Sequence, residues 1–322
     1  MNLKQTIDCI KKNNDFVVTA HTSLEGDALG SELAFYRILK ALGKRAVVIN
    51  DEAMPYGYEF MPDMGVIKRY EKGSAARLKV GCFCILDCSD LGRCGRVASL
   101  SRGVTILNID HHISNTCFGD VNLIDPKASC CAELVYKLYK QMRIPLDKDT
   151  ATMLYAGVIT DTGSFHYRST SAFTHKMAAD LVSHGVDPTA VYKNIYESIP
   201  FADAKVLATL LSSINRDPSG RIAWFEIRRQ DLPKRKIAFD MSERLLSFAR
   251  SLKGIQVAAL FKENPRIKGL VRVNLRSQGK ADVNMIAAHF GGGGHRTASG
   301  CNVKGGMDAV VRKVMRKIRS SI

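Results

Sequence analysis

No apolar run in the 322 residues approaches the roughly 20 needed to cross a bilayer, which excludes a helical membrane span. The stretch Met1 to Lys12 alternates polar and apolar residues as an amphipathic helix does. It lacks the apolar block and cleavage site of a secretory signal, so the chain is expected in the cytoplasm. Internal repeats and low-complexity segments are absent. So is a disulfide framework: the 9 cysteines are odd in number, and Cys82, Cys84, Cys88 and Cys94 crowd one apolar strand and its exit. No paired knuckle follows them, so reduced thiols are expected in place of a zinc site. Acid is scarce in one region: residues 205 to 322 hold 24 Lys plus Arg against 8 Asp plus Glu, while residues 1 to 204 hold 23 of each. The net charge of +16 therefore lies in the last third, a composition suited to phosphates of a nucleotide or nucleic acid.

What is present reads as two α/β domains, each large enough for its own core. Phe16 to Ala20, Arg45 to Asn50, Val80 to Ser89 and Val104 to Ile109 read as strands. A helix over Ala28 to Gly43 follows the first of them, and helical or turn-rich stretches separate the others. That alternation predicts a mainly parallel sheet covered by helices. Helices are expected over Cys130 to Met142, Lys148 to Ile159, Ala172 to Gly185 and Pro188 to Tyr196. Residues 1–195 form the expected catalytic domain, 196–216 a helical linker, and 217–322 a smaller α/β domain. In the latter, strands are expected at Arg221 to Ile227, Ile255 to Glu263 and Ile267 to Leu275, and helices at Ser242 to Leu252, Val283 to Phe290 and Met307 to Ser320. The active site is expected in the cleft between the two domains.

Ligands of open parallel sheets bind beyond the carboxyl ends of the strands, and acids and histidines gather there. His21, Glu25 and Asp27 follow the first strand, Asp87 ends a second and Asp110-His111-His112 a third. The sequence places Asp161, within Gly157 to Phe165, in a fourth such cluster. A single aspartate after a strand is most simply a helix cap; four clusters together suggest shared metal chemistry. In the basic third, Phe290-Gly291-Gly292-Gly293-Gly294-His295-Arg296 is a candidate phosphate cradle, because glycine backbone N–H groups can approach an anion closely. A flexible hairpin is its plainer reading. His166, His175, His184 and His289 read as surface or packing residues, Trp224 as core, and Asp90 and Asp125 as turn residues.

In five motifs, in order, the sequence resembles the DHH phosphoesterases, named for the residues that here are Asp110-His111-His112. The resemblance includes the DHH-associated domain, whose glycine motif is similar to Phe290 through Gly300. In size and layout the chain is most similar to the nanoRNase and phosphoadenosine-phosphate phosphatase branch. This resemblance implies a two-metal phosphodiesterase. His21, Glu25 and Asp87 would hold one ion; Asp27, Asp87, His111 and Asp161 would hold the other, with Asp87 bridging. His112 would be catalytic at the scissile phosphate. Arg276, Ser277, Gly291 to Gly294, His295, Arg296 and Ser299 would grip the substrate. Carboxylate and imidazole ligands without thiolate favour manganese, with magnesium and cobalt as alternatives. The implied substrates are short RNA or DNA oligonucleotides and nucleotides, including phosphoadenosine phosphate; a homodimer stays open. A cyclic-dinucleotide phosphodiesterase is the neighbouring alternative. One departure stands out: the family shows Pro-Asp-Gly-Asp where this chain has Leu24-Glu25-Gly26-Asp27. A weak or inactive RNA-binding relative rests on Glu25 alone. Hydroxyls of Thr160 and Thr162 are expected to support Asp161.

Overall fold

The computed structural model describes residues 2–73, 78–232, 241–265, 267–278 and 281–322. The chain divides into two compact units, Met1–Ser198 and Ile199–Ile322.

In the first unit six strands, β1 (Asp15–Thr19), β2 (Arg45–Asn50), β3 (Ile67–Arg69), β4 (Cys82–Leu86), β5 (Thr105–Asp110) and β6 (Val121–Ile124), form one sheet in the order β3-β2-β1-β4-β5-β6. Every pairing is parallel. The continuous apolar runs of β1 and β4 follow from this, since a parallel sheet is buried on both faces. Phe16, Val18 and Ala20 pack into the core built with α1 (Leu3–Lys12), α2 (Gly26–Ala41), α3 (Cys131–Met142), α4 (Lys148–Asp161), α5 (Ala172–Ser183) and α6 (Pro188–Tyr196). Val17, Phe83 and Ile85 face the other way, under a 3-10 stretch over Leu91–Ser101. Gly43, at φ +69, lies just past α2, where the sequence predicts its end. The order reverses direction between β1 and β4, and that switch point is where such sheets open a crevice for ligands.

The second unit holds a mixed six-stranded sheet in the order β11-β12-β10-β9-β8-β7. Its strands are β7 (Asn215–Arg216), β8 (Ile222–Ile227), β9 (Val257–Glu263), β10 (Leu270–Ser277), β11 (Gly293–Gly294) and β12 (Ala298–Lys304). Alternation decides its faces. Val257, Ala259 and Phe261 pack towards α9 (Val283–Ala288) and α10 (Met307–Arg319), while Ala258 and Leu260 pack towards α7 (Phe201–Ser212) and α8 (Ser242–Ser251). The helix expected as a linker is thus part of this unit: Leu210 of α7 is buried in its core. Among the described residues, no helix is long and apolar enough to cross a membrane.

Candidate metal centre

The strand ends at the switch point bring His21 and Asp87 together, and Asp110-His111-His112 leaves the next strand alongside. His21 Nε2 lies 3.3 Å from Asp87 Oδ2. His111 Nε2 lies 3.4 Å from Asp87 Oδ1, 3.1 Å from Asp161 Oδ2 and 3.8 Å from Asp27 Oδ2. Ligand atoms of His21, Glu25 and Asp87 all fall within 4.8 Å of one another, as do those of Asp27, His111 and Asp161. These six side chains come from four separate stretches of chain, and all but Glu25 and Asp161 are fully buried.

Local structure explains how each is held. Asp87 has φ +52, a left-handed backbone that turns its carboxylate off the end of β4. Glu25 is the N-cap of α2: one carboxylate oxygen accepts from Asp27 N and Ala28 N, each at 3.1 Å. Asp27 reaches across to α3, where it accepts Cys131 N at 2.6 Å and Ala132 N at 2.8 Å. His112 Nδ1 is 2.6 Å from Asp110 Oδ1, and Asn115 Nδ2 donates to Asp110 Oδ2 at 2.6 Å.

The structure corrects two expectations here. Asp161 is the last residue of α4 and does not follow a strand. Nor do its neighbours' hydroxyls support it: Thr160 Oγ1 donates to Ala156 O and Gly157 O, and Thr162 Oγ1 to Val158 O, all back into the helix.

Electrostatics fit a cation. Burial, with the negative charges of Asp161, Asp87 and Asp27, pushes Glu25 well above the usual carboxylate range. Burial and Asp87 do the same to Asp27. Asp161 is pushed up to about 6, burial outweighing the pull of His111. Asp87 goes the other way: burial opposes its charge, but contacts with His111 and His21 hold it well below that range. Carboxylates crowded in this way lack positive charge. Asp87 Oδ1 is buried and accepts no hydrogen bond among the described residues. Burial raises the thiols of Cys130 and Cys131 nearby, which disfavours thiolate ligands. The donor set is therefore carboxylate and imidazole, and it fits divalent ions.

Behind this centre lies Glu32, which the sequence did not single out; Asn50 Nδ2 donates to it at 2.8 Å, and Asn50 Oδ1 accepts from Ala20 N, just before His21. Burial pushes Glu32 up to about 8, with Asp87 adding and the Asn50 bond opposing. Between its ordinary 4.5 and 8 the folded chain keeps this proton and the unfolded chain releases it, so stability falls as pH rises through that window. Glu32→Gln removes the titration. Its melting temperature relative to the wild type is expected to rise from pH 5 to pH 8, by up to about 1.4 kcal/mol of stability per pH unit; a difference that stays flat across that range would reject the assignment.

In the second unit Arg276, on β10, is paired with Glu243 of α8 at 2.6 Å. Ser277 Oγ donates to Ala281 O and Ser299 Oγ to His295 O, so both hydroxyl protons are already engaged. The glycine run differs from an open cradle. Gly291 N and Gly292 N donate to Ala288 O and Ala287 O at the end of α9, and Gly293-Gly294 pairs with Ser299-Gly300 of β12. A Cβ at Gly292 would stand 2.2 Å from Gly300 O, which makes close strand approach one reason for glycine there. His295 and Arg296 form the turn into β12, and Arg296 Nε is 3.9 Å from Asp282.

Two family models cover most of the chain: the DHH family N-terminal domain over residues 15–158 and the DHHA1 domain over residues 232–320. The chain is 28% identical over 306 residues to the bifunctional oligoribonuclease and PAP phosphatase NrnA of Thermus thermophilus, covering 95% of this chain and 89% of that one. It is 26% identical over 294 residues to the probable bifunctional oligoribonuclease and PAP phosphatase NrnA of Streptococcus mutans, covering 91% of each. The crystal structure of an exopolyphosphatase-related protein from Bacteroides fragilis superposes with a TM-score of 0.88 at 25% identity, over 99% of this chain and 96% of that one. The chain belongs to the DHH family and carries a DHHA1 domain after its DHH domain.

Proposed function

We propose that the chain is a metal-dependent phosphodiesterase that hydrolyses very short oligonucleotides to mononucleotides, with phosphoadenosine phosphate as a second substrate. The observation that carries this reading is the convergence of His21, Glu25, Asp27, Asp87, His111 and Asp161 on one buried centre. The resemblance to the two NrnA relatives, named as bifunctional oligoribonuclease and PAP phosphatase, supports the substrate class.

His21, Glu25 and Asp87 would hold one ion and Asp27, Asp87, His111 and Asp161 a second, with manganese the best match to the donors. Bound divalent ions would supply Lewis acidity at the phosphorus and lower the pKa of water. The remaining work falls to the chain. Asp110 receives the Nδ1 side of His112 at 2.6 Å, so Nε2 is the atom that can hand a proton to the leaving oxygen. Asn115 fixes the other Asp110 oxygen, which keeps that carboxylate from turning away. Glu25 keeps one oxygen on the α2 N-terminus and has its second left for a cation, so the longer side chain is absorbed by its capping role. That favours an active centre over a decayed one.

Purified protein with manganese is expected to cleave a labelled RNA dinucleotide, and chelation to stop it; absence of metal-dependent cleavage of any short oligonucleotide, cyclic dinucleotide or phosphoadenosine phosphate would end the proposal. The basic second unit would hold substrate phosphates, with Arg276, His295 and Arg296 as the cations. Arg276→Ala is then expected to lower kcat/KM by roughly 1.5 to 3 kcal/mol, as for a lost charge-assisted contact. Its melting temperature should barely move, because the half-exposed pair with Glu243 contributes at most about 1 kcal/mol. Equal kcat/KM for variant and wild type would remove Arg276 from the site.

A further inference from the structure

Arg93 sits in the 3-10 stretch Leu91–Ser101, directly beyond the switch point. Its position is fixed on three sides. Asp90 caps the stretch through Gly92 N at 2.8 Å and Arg93 N at 3.3 Å. Arg93 O accepts Thr22 N at 2.9 Å, which laces the stretch to the residue after His21. Gly95 has φ +64, and a Cβ there would stand 2.3 Å from Asp51 Oδ2 and 2.8 Å from Thr22 Cγ2, so glycine lets the stretch lie against that loop.

The two arginines of the stretch differ. Arg96 is exposed and neutralised by Asp51, with Nε 2.6 Å from Oδ1. Arg93 is half-buried, donates through Nη1 to Ser89 Oγ at 3.2 Å, and has no carboxylate partner among the described residues. Ser89 stands two residues after Asp87. A guanidinium steered by a neutral serine, unclaimed by acid among the described residues and carried on a stretch laced to the residue after His21, is suited to a phosphoryl group, which takes such a fork in bidentate fashion.

We propose that Arg93, oriented by Ser89, binds a non-bridging phosphoryl oxygen of the substrate on the His21 side of the metal centre. This rests on the hydrolase reading above, so the test measures binding as well as turnover. The manganese-loaded protein is titrated with inorganic phosphate and with adenosine monophosphate, and assayed on an RNA dinucleotide. Arg93→Ala is expected to weaken both ligands and kcat/KM by about 10- to 100-fold, with manganese affinity and melting temperature unchanged. Added guanidinium should restore part of the rate to Arg93→Ala. Arg93→Lys, which keeps the charge and loses the fork, should fall between alanine and wild type, and serves if the alanine variant folds poorly. Unaltered ligand binding in an Arg93→Ala protein that still hydrolyses the dinucleotide overturns the inference. So does a parallel loss of manganese affinity and thermal stability without guanidinium rescue, which would mark a scaffold residue. Phosphate binding that depends on Arg93 in a protein without hydrolytic activity would uphold the anion contact and reject the hydrolase.

Discussion

Asp87→Asn is expected to lower metal-dependent hydrolysis by about three orders of magnitude or more while leaving the fold intact. Asp87 stands within ion-pair distance of His21, His111 and His112 and would bridge both ions. An amide in its place keeps the shape but presents an N–H₂ to one of these partners and removes the shared charge. Two-ion stabilisation supplies several kcal/mol of the barrier reduction, and each tenfold in rate corresponds to about 1.36 kcal/mol. Asparagine is the better probe than alanine because residue 87 has φ +52, a conformation asparagine tolerates. The change relieves the crowding of Asp27 and Glu25 by Asp87 and gives up the contacts with His111 and His21 that favour its charge, so the two effects oppose and the metal-free variant should melt close to the wild type. Added manganese would then cease to raise the melting temperature; in the wild type it should stabilise by about 2.7 kcal/mol at 100 times its dissociation constant. Single-turnover cleavage and manganese-dependent melting curves measure both effects. A variant that cleaves at the wild-type rate would place the chemistry elsewhere.

Gly30→Ala is expected to have the largest effect on stability, about 3 kcal/mol or more. Gly30 lies where α2 crosses α4, and a Cβ there would stand 2.2 Å from the carbonyl oxygen of Met153. That atom belongs to a helix backbone and has no rotamer by which to withdraw. One turn further along α4, a Cβ at Gly157 would stand 2.7 Å from Ala132 Cβ of α3 and 2.8 Å from Asp27 Oδ1 of α2. The crossing brings the start of α2, with Glu25 and Asp27, against the end of α4, with Asp161. Forcing the helices apart should therefore weaken manganese binding along with stability. Denaturant midpoints with and without manganese give both numbers. A variant with the wild-type midpoint would show that the helices are not held this close.

The strands that carry the site were legible because a buried parallel strand is written as a short unbroken apolar run, and β1, β4 and β5 each end on the polar residues that matter. β3 was not, since three partly exposed residues leave no pattern, and β6 has only four. Asp161 is grouped with the strand-end clusters although the sequence reads Lys148 to Ile159 as a helix; that helix runs two residues further, which brings its last residue, Asp161, to Asp27 and His111. The partners of Asp27 at the N-terminus of α3 were invisible because they depend on which helix end arrives from elsewhere in the chain. The glycine run illustrates the converse: its composition suggested an anion cradle, whereas two of its N–H groups close a helix and two residues make an edge strand. Arg93 lies in a short 3-10 stretch and Asn115 in a loop, neither with a periodic pattern; Asp90, which reads as a turn residue, is the one signal that a fixed turn stands there.

Eight of the nine cysteines are buried, and Cys117 alone is exposed, on the loop that follows His112. Asn115, which holds Asp110, also accepts the backbone N–H of Cys117 at 2.7 Å. A thiol-reactive fluorophore or spin label would therefore attach to the unmodified chain at a single address, five residues from the proposed proton donor, and report from that loop as ligands arrive.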